Sequence, residues 1–248
     1  MKKYIITIVS LFTFFLYLSC NTIRLQPKQI IDIAFNSRIE FPLKDSVIFS
    51  FADTCHLFFY KKLVMVEKFI RTSSDTINFS NYGKEYYYVF IDKEKNLAYK
   101  SIGITPHTFI KCNYDSVLKN DFFDGFKFIK KDSGLYKLVN YSNKSSEEIT
   151  ETYRLEKKMD YTYPDTQIYI YNKKFPPINF TFNALMEEKQ KAKLCKVVYL
   201  YNHFLDSNSI RVPKRHWEFQ INENVLTNDK INTLKNSFVD FENFIKLH

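Results

Sequence analysis

Short runs rich in Tyr, Phe, Val and Ile, separated by brief charged breaks, recur along most of the chain and leave few folds open to it. Cys55 to Tyr60 and Leu63 to Ile70 flank Lys61-Lys62, while Glu85 to Asp92 and Leu97 to Ile102 flank Lys93-Glu94-Lys95-Asn96. Arms of that composition joined by breaks of that length read as β-hairpins, because β-branched and aromatic side chains suit a half-buried pleated surface. The sequence therefore predicts an α+β fold: mainly antiparallel β-sheet, a few short helices, and a C-terminal amphipathic helix packed on the sheet.

Ahead of these hairpins, Ile31, Ile33 and Phe35 and then Val47, Phe49 and Phe51 alternate with polar or smaller residues, and Pro42 divides them into two strands. Further strands are expected at Phe126 to Lys130, Leu135 to Tyr141, Glu148 to Lys158, Gln167 to Tyr171, Leu194 to Tyr201 and Arg215 to Ile221. Within Glu148 to Lys158, Ile149, Tyr153 and Leu155 alternate with Thr150, Thr152 and Arg154, so one face is polar, as in an antiparallel sheet with a wetted side. Asp115 to Asp124 carries Val117, Leu118 and Phe122 at helical spacing, with Gly125 placed to end a helix. Asp124-Gly125 between Phe123 and Phe126 also fits a type I′ hairpin turn, so that segment has two readings.

Asn183 to Lys191 is expected as a helix carrying Leu185 and Met186. The clearest helix closes the chain, where Thr227-Asn228-Asp229 supplies a cap and a first-turn acid. Ile231, Leu234, Phe238, Phe241 and Ile245 follow at steps of three and four, leaving Lys230, Lys235, Asp240 and Glu242 to face outward.

The N-terminus has a different character. Lys2 and Lys3 precede an apolar run from Tyr4 to Leu18 interrupted only by Thr7, Ser10 and Thr13. As a helix that run rises roughly 22 Å, short of the roughly 30 Å hydrocarbon core, so an export signal fits it better than a permanent span. Leu18-Ser19-Cys20 at its end resembles the lipobox of bacterial lipoproteins, with Tyr17 at the position that is usually aliphatic. The resemblance implies cleavage between Ser19 and Cys20, diacylglycerol on the Cys20 thiol, and acylation of the freed amine. Two or three chains would anchor the protein durably, at about 0.8 kcal/mol per buried methylene. Without lipidation the same layout gives a plain secretory signal.

The expected organisation is a signal peptide at 1–19, a lipidated tether at 20–29 and a single β-rich domain at 30–248. The tether lacks acidic residues. In the lipoproteins it resembles, an acidic stretch there directs some chains to the cell surface, so its absence points to the periplasmic face of the outer membrane.

The formal net charge of +9 would suit nucleic acid, but the lysines are scattered, densest at Lys189, Lys191, Lys193 and Lys196 and again at Lys214-Arg215-His216. An exported chain rarely meets DNA, and the charge is read as a contribution to solubility. The expected partners are the membrane, through the anchor, and an envelope protein, with no nucleic acid. Once Cys20 is assigned to lipid, Cys55, Cys112 and Cys195 remain, an odd set in apolar surroundings that reads as buried thiols.

Glycines stand only at 83, 103, 125 and 134, so the P-loop, the dinucleotide fingerprint and the nucleophile elbow are absent. No metal site or cofactor is expected, since C-x-x-C and H-E-x-x-H are missing and His56, His107, His203, His216 and His248 are dispersed. Cys55 and His56, adjacent on a strand, point to opposite faces, which leaves a structural thiol beside a surface imidazole. Asp160 and Asp165, around Tyr161, Tyr163 and Pro164, form a loop that a sugar would suit, and Trp217 beside His216 offers a stacking surface. No catalytic residue is assigned. These readings favour a lipid-anchored envelope protein with a binding, scaffold or immunity/inhibitor role. A carrier of a hydrophobic ligand in an aromatic-lined cavity stands second, and an envelope hydrolase acting on glycans third.

Overall fold

The computed structural model describes residues 30–42, 48–72, 83–104, 108–120, 134–143, 147–157, 159–178, 180–205 and 211–247. Ser19, Cys20, His107, His248 and the strand expected at Phe126 to Lys130 lie outside these residues, as do Asp124 and Gly125, on which the two readings of that segment turn.

Thirteen strands are formed by the described residues. They are β1 (Ile31–Pro42), β2 (Ile48–Tyr60), β3 (Leu63–Thr72), β4 (Gly83–Asp92), β5 (Leu97–Ile102), β6 (Ile110–Cys112), β7 (Tyr136–Ser142), β8 (Glu148–Leu155), β9 (Thr166–Asn172), β10 (Lys193–Tyr201), β11 (Phe204–Leu205), β12 (Arg211–Val212) and β13 (Arg215–Asn224). Three helices accompany them: α1 (Tyr114–Asn120), α2 (Ala184–Gln190) and α3 (Asn228–Leu247). All strands but β11 and β12 join one antiparallel sheet in the order β6-β5-β4-β3-β2-β1-β13-β10-β9-β8-β7. Two local meanders, β1 to β6 and β7 to β10, are thus joined by β13 between β1 and β10. This is the expected α+β architecture.

The hairpins form where the breaks were placed. At the β2–β3 turn Lys61 takes a left-handed φ of 54°, a conformation uncommon for a residue with a Cβ. Between β4 and β5 Asn96 does the same at 55°, and asparagine tolerates it better. Asp92 Oδ1 shapes that turn by accepting from the backbone N–H groups of Glu94 and Lys95 at 3.0 and 3.1 Å.

Two boundaries differ from expectation. Val47 lies outside the described residues, and the segments holding Phe49 and Phe51 and Cys55 to Tyr60 are parts of one strand, β2, which pairs with β1 from Pro42↔Ile48 to Ile31↔Phe59. Asp53 and Thr54 interrupt the hydrophobic pattern but not the pleat: Thr54 Oγ1 donates to Asn36 Oδ1 across the pair at 2.7 Å. In α2, Met186 is buried but Leu185 is exposed, because the seven-residue helix turns only one stripe inward. Asn183 caps it, accepting from Met186 N at 3.1 Å.

The sheet has a core on each face. On one, Ile33, Phe35, Leu57, Val66, Tyr169, Tyr171, Val197 and Phe219 continue into Phe180, Phe182 and Met186 of the segment containing α2. On the other, α3 lies over the first meander, where Leu234, Phe238 and Phe241 meet Phe58, Tyr60, Met65, Phe90 and Tyr99. Phe241 centres this contact, with ring centroids 5.1 Å from Phe90 and 5.7 Å from Tyr99. Thr227 Oγ1 accepts from Lys230 N at 3.4 Å, as the cap reading anticipates. Lys230 and Glu242 are less free than expected, since Lys230 Nζ sits 5.6 Å from the Phe58 ring centroid and Glu242 pairs with Lys61 at 3.1 Å.

Candidate functional site

β2 and β3 start as a hairpin and then part. Their pairing runs from Tyr60↔Leu63 to Leu57↔Val66 and stops, although β2 continues back to Ile48 against β1 and β3 continues to Thr72 against β4. His56 and Glu67, then Cys55 and Lys68, would be the next opposed pairs. Where the strands diverge, a concavity opens on each side of the sheet, and Ser37 and Asp53 line both.

On the face that carries α3, beyond the helix, lies an open polar trough of about 470 Å³ lined by residues including Asn36, Arg38, Thr54, His56, Glu67 and Glu218. Alternation brings them together: every second residue of β1, β2, β3 and β13 faces this side. Next to it, His56 Nδ1 lies 2.9 Å from Asp32 Oδ1, and Asn224 Nδ2 donates to Asp32 Oδ2 at 3.4 Å. The hydrogen bond that the protonated His56 ring donates to Asp32 raises the His56 pKa above its ordinary value against the opposing effect of burial. The Tyr88 hydroxyl donates to Glu67 Oε2 at 3.0 Å, and Lys196 pairs with Glu218 at 2.7 Å.

Along the same face Glu40 gathers Arg38 at 3.0 Å, His216 N at 2.8 Å and the His216 ring at 3.2 Å. Burial pushes the Glu40 carboxyl up, but the His216 backbone N–H, the His216 ring and Arg38 together hold it below its ordinary range.

The concavity on the other face is smaller and different in chemistry. It encloses about 250 Å³ and is lined by Phe35, Phe51, Tyr87, Ser37, Asp53, Cys55 and Lys68. Burial in this wall brings the Lys68 amine down to about 8 and pushes the Cys55 thiol up to about 12. A thiol at that value is not a thiolate at neutral pH, so Cys55 supplies no negative charge to Lys68. Lys100 Nζ, from β5, lies 4.2 Å from the Tyr87 ring centroid.

The remaining sequence candidates disperse. Cys55 and His56 do point to opposite faces, but His56 is half-buried and bonded to Asp32 rather than a free surface imidazole. Cys55, Cys112 and Cys195 are free of disulfides and only partly buried, a correction to the reading of buried thiols, and the Cys112 and Cys195 thiols donate to Ile110 O and Lys193 O at 3.5 and 3.4 Å. Asp160 accepts from both the backbone N–H and the hydroxyl of Thr162, and these bonds lower its pKa. Asp165 accepts from Asn202 N at 2.6 Å. The space among Asp160, Tyr161, Tyr163 and Asp165 is about 20 Å³, too small for a sugar ring.

Trp217 packs against Tyr201 at 5.3 Å and Phe41 at 6.1 Å, and its Nε1 donates to Glu40 O at 2.8 Å, so the indole serves the rim of the core. Members of the two basic clusters are engaged by neighbours, Lys196 by Glu218 at 2.7 Å. Lys193 bonds Glu187 and Phe180 O, while the buried Arg215 guanidinium donates to Tyr161 O and lies 4.4 Å from the Tyr201 ring centroid.

Sequence reasoning missed Asp32, Glu40, Glu67 and Lys68. Each is one charged residue in a strand, and nothing local distinguishes it from a solvated one. Among the described residues no group of three or more His, Cys, Asp or Glu is placed to hold a metal ion, and no helix is long and apolar enough to cross a membrane. No protein-family model matches the chain, and no curated protein matches it at a significant level.

Proposed function

We propose that this chain is a lipid-anchored protein of the bacterial cell envelope, attached through Cys20 on the periplasmic face of the outer membrane, and that its body is a binding module. A scaffold or immunity/inhibitor role falls within that reading. The observation that carries the binding half is the polar trough. It is open, it offers about 470 Å³, and charges of both signs are held across it by strand register. Rigid display of paired polar groups suits recognition of a protein surface, where preorganisation limits the entropy lost on association. The anchor half rests on the likeness of residues 1–20 to a lipoprotein signal.

One experiment addresses both halves. A photo-crosslinking residue in place of Tyr86, which lines the trough and is 46% exposed, is introduced into the wild-type chain and into Cys20→Ala. The expected result is a discrete crosslinked envelope protein and a membrane-bound mature chain beginning at lipidated Cys20 by mass spectrometry. Cys20→Ala is expected in the soluble fraction with the crosslink reduced. An unmodified mature wild-type chain in the soluble fraction would overturn the anchor, and no crosslink from Tyr86 or neighbouring Thr54 would overturn the binding surface.

A further inference from the structure

Hairpin geometry decides which main-chain groups face the opening between β2 and β3. With only Lys61 and Lys62 in the turn, Tyr60↔Leu63 is a pair that exchanges both main-chain hydrogen bonds. Alternation from that pair points the N–H and C=O groups of His56, Thr54 and Ala52 away from β1, and those of Glu67 and every second residue after it away from β4. Both sets face the opening. Among the described residues no strand pairs with these two edges, because β2 and β3 stop pairing at Leu57↔Val66. The Thr54 N–H instead donates to Asp53 Oδ1 at 2.8 Å, while the Thr54 hydroxyl reaches Asn36 of β1. We propose that this opening receives an extended segment of a partner protein, which adds as a strand by pairing its main chain with both edges.

The concavities of about 470 and 250 Å³ lie on the two faces of this one opening and share Ser37 and Asp53 in their linings. Successive side chains of a strand point to opposite faces, so those of the incoming segment enter the two in turn. On the trough side they meet Asn36, Thr54, His56 and Glu67. On the other side they meet Phe35, Phe51 and Tyr87. The segment recognised therefore alternates polar and apolar residues, and the run of β3 from Glu67 to Thr72 sets its length. Main-chain hydrogen bonds supply affinity and the two rows of side chains supply specificity, as strand addition does elsewhere.

Chain connections point to an occupant from outside. Residues 73–82 leave the sheet at Thr72 and rejoin it at Gly83, its paired neighbour, so they would enter only as a doubled strand where one has room. Residues 43–47 bridge the paired Pro42 and Ile48 and are too few to reach in and return. The tether meets β1 at the other end, beside the β2–β3 turn that closes the opening, since Ile31 pairs with Phe59. A guest strand thus enters from the end away from that turn, antiparallel to one edge and parallel to the other. This inference rests on the reading of the trough as a binding surface and adds the form of the partner.

A blocked hexapeptide alternating valine and threonine is the probe, titrated into the full chain and followed by fluorescence polarisation and amide hydrogen exchange. The same peptide N-methylated at alternate residues keeps the side chains and loses main-chain donors. Thr54→Pro removes an N–H that β1 does not use, a change that an unpaired strand edge tolerates. The expected result is saturable binding with new exchange protection at the Ala52 and His56 amides, and at least about tenfold weaker binding both of the N-methylated peptide and in Thr54→Pro. The N-methyl comparison uses the wild-type chain and stands should the proline variant fail to fold. Equal binding of the N-methylated peptide, no saturable binding, or protection at the outer strands β6 or β7 instead would each overturn the proposal. Protection of Ala52 and His56 on concentrating the chain alone would give the place to a second copy and overturn the partner assignment. A Tyr86 crosslink to an envelope protein alongside any of these failures leaves the trough as a binding surface, whereas its loss as well overturns both.

Discussion

His56 shows how one side chain ties three elements together. Its ring stacks on Phe58 with centroids 5.8 Å apart and meets Asp32 of β1, while Asn224 of β13 completes the group at 3.5 Å. Glu67 of β3 further raises the His56 pKa and Lys230 of α3 opposes it. Because the folded-state value lies above the unfolded one, the contribution is fully present below the unfolded value of about 6.5 and is lost as pH rises through the folded value. His56→Gln should therefore destabilise the protein most at mildly acid pH, and the gap to wild type should close on the alkaline side. Urea unfolding across that range measures it, and a pH-independent gap would contradict the assignment. Nothing in the sequence marked this group, since Asp32 and Asn224 stand 192 residues apart. Glu151 was equally hidden. It shares the inward face with Ile149 and Tyr153, and Tyr171 and Gln190 donate to it at 2.8 and 2.6 Å.

At the scale of elements, α3 is the part most fully written in local sequence. Its cap, its stripe and its outward charges follow from spacing alone, and only the partners of Lys230 and Glu242 required the tertiary structure. Phe241 is fully buried against Phe90, Tyr99 and Phe109. Phe241→Ala should cost about 3–5 kcal/mol, whereas Asp240→Ala on the exposed side should change stability by less than about 0.5 kcal/mol. Thermal unfolding of both variants tests this, and equal effects would mean that the helix is not seated as described. The strands were legible for a related reason, because alternation and charged turns are local signals. The divergence of β2 from β3 was not, since Glu67 and Lys68 continue the strand pattern of β3 without interruption. Both concavities arise there, so the site was harder to read than the elements that build it.

For the whole molecule, the feature with the widest reach is the insertion of β13 between β1 and β10. Each meander pairs neighbours in sequence, but the join between them needs a strand near the C-terminal end of the chain to meet the first strand of the described residues. Contacts of such separation carry a large loop-closure cost and slow folding. Deleting residues 211–248 should leave a chain without cooperative unfolding rather than a smaller stable sheet, as near-ultraviolet circular dichroism would reveal. Two independently melting halves would argue against β13 as the joining strand. The order in which the chain emerges during synthesis then takes on meaning. Until β13 has left the ribosome, β1 and β10 have no strand to unite them, and the incomplete sheet is expected to stay loose. Under the export reading proposed above, that delay would keep the chain unfolded and able to be threaded through a secretion channel.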